Sequence, residues 1–357
     1  MALHFHKLTV KDIRKETKDC VSVAFTIPEE AKKDFLFIPG QNITVRRIIN
    51  GEEIRRSYSV CSSPQENELR VAVKKVRDGI FSSYANDLLK PGEELEVLSP
   101  SGSFYTGIKE DQKKNYVFFA AGSGITPVIS LIKTILAVEK ESFVTLIYGN
   151  KNSSSIIFKE QLSDLKDKYL ERFSLYHILS RELTDAAINH GRIDEEKCRL
   201  FSAIIDYNAT DEFFICGPEQ MIFTVKEFLE KKRIAKARIH FELFTTPLRK
   251  KTEKTVVVKD RANEGSEIII KADGRSFSFR LDYDSNVILD AALAQGADLP
   301  FACKGGVCCT CKARLTEGQV EMETNYGLEP DEVKAGFILT CQSHPLSKKV
   351  ILDFDIK

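Results

Sequence analysis

A chain of 357 residues has room for two or three domains, and 43% hydrophobic with 29% charged side chains is the composition of a soluble globular protein. Formal charge sums to zero, which argues against a nucleic-acid binder. The opening residues lack the layout of a secretory signal, and five of the nine cysteines (Cys20, Cys61, Cys198, Cys216, Cys309) follow no disulfide pattern, so a reducing cytosol fits best.

Residues 1–112 read as all-β. Runs rich in Val, Ile and Phe at 21–27, 42–48, 57–61 and 69–76 are separated by turn formers such as Pro39-Gly40, Asn50-Gly51 and Pro91-Gly92. Leu69, Val71 and Val73 alternate with polar Arg70 and Lys74, the pattern of a barrel wall with one wet face. Arg56, Ser57, Tyr58 and Ser59 share one of these strands. A guanidinium can pair with a pyrophosphate, a tyrosine can stack on a flat ring, and a hydroxyl can bond a ring nitrogen. Gly79, Ser82 and Ser83 precede a helix-like stretch, 84–89, and would form a phosphate cradle; an ordinary strand and helix cap read the same way.

From 113 to 245 the rhythm changes. Strand-like runs at 116–121, 143–148, 173–179 and 212–216 alternate with helical stretches at 126–139, 156–170 and 218–232, which implies a parallel, doubly wound sheet. Residues 116–138 hold one charge, Lys133, but Gly122, Gly124 and Pro127 interrupt them; they read as a buried strand, a turn and a buried helix rather than a membrane span. The turn Gly122-Ser123-Gly124-Ile125-Thr126-Pro127 would bring backbone amides and a helix N-terminus to a pyrophosphate. It departs from the G-x-G-x-x-G fingerprint at Pro127, and a plain strand-to-helix turn is an equal reading. Cys216-Gly217-Pro218 ends a second strand, with Pro218 at the first helical position. Phe241, Glu242, Leu243 and Phe244 close the module as cofactor contacts or as core.

Residues 246–264 read as a charged linker. A small α+β module follows at 265–357: a hairpin of 267–272 and 276–281 turning at Asp273-Gly274, then a helix capped by Ser285 and ended by Gly296. Cys303, Cys308 and Cys311 then follow C-x4-C-x2-C spacing, with Cys341 about thirty residues on, the arrangement of a plant-type [2Fe–2S] centre. Four cysteines could also hold zinc, although structural zinc usually draws on two short-spaced pairs. From Glu264 to Lys357 there are 15 acidic against 10 basic residues, so this stretch carries −5 and the remainder +5, a polarity suited to docking between redox partners.

In this order the motifs resemble the ferredoxin–NADP reductase superfamily fused to a C-terminal plant-type ferredoxin, across essentially the whole chain. Within it, the segments 301–313 and 339–345 look most like the reductase subunits that serve oxygenases of aryl-CoA thioesters. The resemblance implies a multidomain fold: an antiparallel FAD-binding β-barrel, a doubly wound α/β nucleotide-binding domain and a β-grasp ferredoxin domain. It implies FAD on Arg56, Ser57, Tyr58 and Ser59, with its pyrophosphate at Gly79, Ser82 and Ser83. The nicotinamide dinucleotide would lie on Gly122, Gly124, Thr126 and Pro127, with Cys216, Gly217 and Pro218 beside its ring. Glu242 and Phe244 would flank the flavin, Phe244 covering one face. Ser59, Cys216, Glu242 and Phe244 thereby become the residues nearest the chemistry. Ser180 and Arg181 would grip a 2′-phosphate, favouring NADPH over NADH, although Arg181 could instead pair with Glu182. Cys303, Cys308, Cys311 and Cys341 would ligate iron, and Cys309 would not. The implied partner is a di-iron oxygenase, with no nucleic acid and no membrane; another aromatic-ring oxygenase, or a redox-sensing role, is the alternative.

Overall fold

The computed structural model describes residues 4–244, 265–283 and 285–356. Two compact units are distinguished, one spanning Phe5–Leu243 and the other beginning at Phe244. The expected linker, 246–264, lies outside the described residues.

The first unit opens with six antiparallel strands: β1 (Phe5–Thr17), β2 (Cys20–Thr26), β3 (Asn42–Ile49), β4 (Glu52–Ser59), β5 (Leu69–Lys74) and β6 (Glu94–Leu98). Their order is β4-β3-β6-β1-β2-β5, and a bridge from Val60 to Val71 joins the two edges into a barrel. Helix α1 (Ile80–Asp87) lies between β5 and β6 in the chain. It starts at Ile80, four residues before the expected stretch, so Ser82 and Ser83 are helical rather than part of a preceding loop. Two strands escaped the pattern. In β1 a register shift between Val10 and Asp12 breaks the alternation, and β6 is five residues long with two glutamates.

The expectation of a wet face on β5 is corrected. Arg70 is only 4% exposed and Ala72 5%. The outward side of β2 and β5, with Cys20, Cys61 and Ala72, packs into the same apolar cluster as the helix that follows Gly124. Arg70 survives there because Nε donates to Glu68 Oε2 at 2.7 Å, Nη1 donates to Ser22 Oγ at 3.0 Å, and Nη2 bonds Asp12. The hydrogen bond from Arg70 holds Glu68 below the usual carboxylate range against the opposing effect of burial. A carboxylate with a depressed folded-state pKa contributes stability that is present above its unfolded value and lost as pH falls through the folded one. Arg70→Met is therefore expected to cost about 2–3 kcal/mol at pH 7, since part of the network reaches water. The gap from the parent should narrow on acidification below about pH 4.5, the unperturbed value. Thermal unfolding at pH 7, 4 and 3 measures it; a gap constant with pH would show that Arg70 only fills space.

The second half of this unit alternates β7 (Asn115–Ala121), α2 (Ile125–Val138), β8 (Phe143–Asn150), α3 (Lys159–Lys168), β9 (Phe173–Leu179), α4 (Glu195–Phe201), β10 (Glu212–Cys216), α5 (Glu219–Lys231) and β11 (Ile239–Glu242). All five strands are parallel in the order β11-β10-β7-β8-β9. The chain leaves β7 toward β8 on one side and returns to β10 on the other, so β7 and β10 flank a topological switch point. Residues 116–138 are strand, turn and helix as expected, and among the described residues no helix is long and apolar enough to cross a membrane. Helix α4, unseen in the sequence, is short and starts where Asp194 Oδ1 accepts from the Lys197 amide at 2.8 Å. Pro218 is the N-cap of α5 rather than its first residue, a one-residue shift.

The second unit contains β12 (Gly265–Ala272), β13 (Arg275–Asp282), α6 (Ile288–Ala294), β14 (Lys312–Glu317), β15 (Val320–Met322), α7 (Pro330–Lys334), β16 (Phe337–Leu339), β17 (Ser343–Pro345) and β18 (Lys349–Asp353). Its main sheet runs β13-β12-β18-β14-β16, with β12 and β18 parallel, and β15 pairs with β17. The hairpin turns at Asp273 and Gly274, both at positive φ (55° and 69°), as a two-residue type I′ loop requires. Ser285 does not cap α6: its hydroxyl donates to the Asp282 carbonyl at 2.6 Å, and the cap position falls two residues later at Val287.

Candidate functional site

On β4, alternation sends Arg56 and Tyr58 to one face and Ser57 and Ser59 to the other. Arg56 is exposed, and its Nη1 donates to the Arg55 carbonyl at 2.7 Å. The half-buried Tyr58 ring lies 5.5 Å from Phe81, centroid to centroid, which ties the strand to the first turn of α1. Ser57 Oγ shares a hydrogen bond with Thr44 Oγ1 at 3.1 Å. At the start of α1, Gly79 is the cap residue, and a Cβ there would sit 2.3 Å from Ser82 Oγ and 2.5 Å from a Val76 methyl. The Ser82 hydroxyl is committed to this loop, donating to the Gly79 carbonyl and accepting from the Val76 amide, both at 3.2 Å. It braces the cradle, and the free first-turn amides of α1 are the donors a phosphate would meet. Ser83 is half-buried one position on.

The two glycine-bearing turns of the parallel sheet abut. Gly122 has φ +56°, and a Cβ on Gly124 would lie 2.0 Å from the Cys216 carbonyl oxygen and 2.7 Å from the Gly217 nitrogen. Only a residue without a side chain lets the turns after β7 and β10 touch. Thr126 Oγ1 donates to the Ser123 carbonyl at 3.0 Å, and Thr126 and Pro127 are buried in α2, so they shape the turn from behind. Cys216 is fully buried at the end of β10, in register with Glu242 on β11. Burial, with the Glu242 charge adding to it, holds its thiol well above the ordinary range. Ser59 Oγ donates to Glu242 Oε2 at 3.3 Å. Three of the four residues expected nearest the chemistry, Ser59, Cys216 and Glu242, thus converge where the barrel meets the switch point. Phe244 follows β11 by two residues, belongs to the other unit, and is 40% exposed.

Beyond β9, Ser180 Oγ donates to the Asn150 carbonyl at 3.3 Å, while Arg181 is exposed. The alternative pairing of Arg181 with Glu182 is not made. Glu182 Oε2 instead accepts from the Ser153 amide at 2.7 Å and the Ser153 hydroxyl at 3.0 Å.

Sequence reasoning missed Lys74. Read as a solvent-facing residue of β5, it is only partly exposed, and a Cβ on Gly122 would come within 3.3 Å of its Nζ. Burial lowers its pKa, with Lys151 adding to the effect. A partly desolvated ammonium over a glycine turn is a ready anion contact. Tyr148 supports the same turn, its hydroxyl donating to the Gly122 carbonyl at 2.9 Å. The lysine's position at the strand end was visible; the neighbouring layer that covers it was not.

In the second unit the three cysteines of the loop and Cys341 come together. Cys308, Cys311 and Cys341 are buried, and Cys303 is exposed. Cys303 lies beside Cys308 and Cys341, and Cys311 beside Cys341. Hydrogen bonding to Cys303, then burial, pushes the Cys308 thiol well above its usual range. Cys341 is raised to about 12: the bond to Cys303 works against the rise, which the bond to Cys311 and burial bring about. A backbone amide points inward, the Gly305 N–H donating to Cys303 Sγ at 3.3 Å. Lys304, Gly306 and Cys309 adopt positive φ (51°, 75° and 55°) to make this possible. Among the described residues no group of three or more His, Cys, Asp or Glu is arranged to hold one metal ion. A two-iron centre spreads four thiolates over two metals, a donor set that these four neighbouring cysteines can supply. Cys309 points elsewhere, its Sγ 2.6 Å from where a Cβ on Gly327 would stand.

Three family models match successive stretches of the chain. The family model described as an oxidoreductase FAD-binding domain matches residues 7–105, the oxidoreductase NAD-binding domain 118–227, and the 2Fe-2S iron-sulfur cluster binding domain 270–346. The chain is 44% identical to one of the subunits of the 1,2-phenylacetyl-CoA epoxidase of Escherichia coli (strain K12), covering 99% of this chain and 98% of that protein. It is 32% identical to the ferredoxin reductase component of 3-ketosteroid-9-alpha-monooxygenase from Rhodococcus rhodochrous, over 97% of this chain and 96% of that one. Among solved structures, phthalate dioxygenase reductase shares the fold with a TM-score of 0.58 at 24% identity, covering 98% of each chain.

Proposed function

We propose, for a chain that belongs to the family of this 1,2-phenylacetyl-CoA epoxidase component and related oxygenase reductases, that NADPH is its electron donor and a di-iron oxygenase acting on an aryl-CoA thioester is its acceptor. The chain is an oxidoreductase with FAD-binding, NAD-binding and 2Fe-2S domains in that order. The observation that carries the reading is the meeting of Ser59, Cys216 and Glu242 with two glycine turns and Lys74 at a sheet switch point. When bound, FAD would supply both two-electron hydride chemistry and one-electron release, and a [2Fe–2S] centre would supply one-electron transfer.

The chain's own groups position these steps. Arg56 and the first-turn amides of α1 would hold the FAD pyrophosphate, with Gly79, Ser82 and Ser83 shaping the cradle. The Tyr58 ring would stack on the flavin. The Ser59 hydroxyl, fixed by Glu242, would hold the reactive ring edge. Gly122, Gly124, Thr126 and Pro127, with Lys74 above them, would receive the dinucleotide phosphates. Because burial keeps the Cys216 thiol neutral, it offers the nicotinamide an uncharged surface, backed by Gly217 and Pro218. Cys303, Cys308, Cys311 and Cys341 would ligate the two irons. Nine free cysteines accord with a cytoplasmic setting.

Ser180 and Arg181 support NADPH over NADH, since the exposed guanidinium of Arg181 can take a 2′-phosphate bidentately. Mixed with di-iron oxygenase subunits and an aryl-CoA thioester, the protein should drive product formation from NADPH. Arg181→Ala should raise KM for NADPH about tenfold or more, with kcat and the NADH constants little changed. Equal losses with both nucleotides would reject the phosphate contact. Steady nucleotide oxidation that supports only a different oxygenase would move the acceptor, and turnover with none would point to redox sensing.

A further inference from the structure

Gln342 follows Cys341 and is 8% exposed, unusually deep for an amide side chain in a small domain. Its Nε2 donates to the Cys341 carbonyl at 2.7 Å, to the Lys304 carbonyl at 3.1 Å, and to Cys341 Sγ at 3.7 Å. Two hydrogens serve three acceptors, so one is shared. The methylene stem lies against Gly306, where an added Cβ would meet Gln342 Cγ at 3.1 Å. The backbone continues the clamp: the Gln342 carbonyl accepts from the Glu323 amide at 2.8 Å, and the Gly306 carbonyl accepts from the Tyr326 amide at 3.0 Å. One side chain therefore ties together the segment carrying Cys303 and Cys308, the segment carrying Cys341, and, through the backbone, residues 323–326.

We propose that Gln342 is a positioning residue that tunes the reduction potential of the centre held by the four cysteines, by placing an amide hydrogen on the Cys341 sulfur and clamping that sulfur to the 303–308 loop. Reduction adds negative charge that the ligating sulfurs share. A donor aimed at one of them favours the reduced form over the oxidised one, so its removal lowers the potential. The Gln342 amide places such a side-chain donor 3.7 Å from the Cys341 sulfur. The inference rests on the reading of these cysteines as iron ligands.

Gln342→Met tests it, because methionine keeps the length and packing of the stem on Gly306 while deleting the donors. In the intact protein the variant is expected to keep iron, sulfide and flavin content. Its cluster potential, from anaerobic dye-mediated titration followed by low-temperature EPR, should fall by a shift equivalent to a three- to tenfold lower reduction constant, tenfold being about 59 mV for one electron. Nucleotide reduction of the flavin should be unchanged. A full cluster at the parent's potential and with its EPR line shape would overturn the proposal while leaving the ligand assignment standing. If the variant assembles no cluster, the parent protein decides. Selective 15N labelling of glutamine side chains should give a nitrogen coupling to the reduced centre in pulsed EPR, and the lack of one would overturn the proposal. A parent protein without iron and sulfide would instead fail the ligand reading itself.

Discussion

Cys341→Ser is expected to leave NADPH oxidation by a flavin-level dye intact and to abolish electron delivery to an acceptor that draws from the cluster. The two readouts separate because the residues lie in different units: Ser59, Cys216 and Glu242 within Phe5–Leu243, and the four cysteines beyond it. Cys341 lies beside both Cys303 and Cys311, so its loss removes the sulfur that closes the set from outside the loop. Serine offers a harder, less acidic oxygen in a site where Thr340 Oγ1 and N–H already bind the Cys311 carbonyl, at 3.0 and 3.2 Å. The loss should exceed the roughly 10–100-fold cost of removing a mere supporting partner of a metal ligand. Stopped-flow reduction of the flavin, acceptor assays and iron analysis report it. Unchanged transfer to both acceptors would reject the serial route.

Gly124→Ala is expected to slow nucleotide-driven flavin reduction about a hundredfold, the cost of a misplacement near 1 Å at a reacting centre. The backbone is no obstacle, since φ at Gly124 is −61°. The obstacle is the Cys216 carbonyl, 2.0 Å from the new methyl, which would force apart the two turns that receive the dinucleotide. Flavin content and reduction of the flavin by dithionite should be preserved. Gly107→Ala, with nothing within 4 Å of the added carbon, should behave as the parent and serves as the control. A Gly124→Ala protein reduced by NADPH at the parental rate would show that the close approach of the turns has no part in binding.

Local features of the chain carried much of this. The glycine turns after β7 and β10, the hairpin at Asp273-Gly274 and the spacing of Cys303, Cys308 and Cys311 are short-range patterns, each visible within a dozen residues. The helix starts were less legible. Ser285 looked like a cap because a hydroxyl before an apolar run usually is one, yet its bond to the Asp282 carbonyl makes it part of the preceding turn. At Gly79 the opposite happened: the helix reached back to include Ser82 and Ser83, since packing of Phe81 on Tyr58 favours an earlier start than propensity alone implies.

By itself the sequence determined the order of the modules, the parallel and antiparallel character of their sheets, and which cysteines share a loop, because periodicity and spacing encode local geometry. Only the tertiary structure decided which faces are covered. Alternation on β5 shows that Arg70 and Lys74 point away from the barrel interior, but a layer from a distant part of the chain, not water, lies over that side. The same holds for Ser59 and Glu242, 183 residues apart, and for Gln342, whose amide meets a carbonyl 38 residues earlier. Such meetings arise from burial of apolar surface between layers, a property of the assembled chain that no window of neighbouring residues contains.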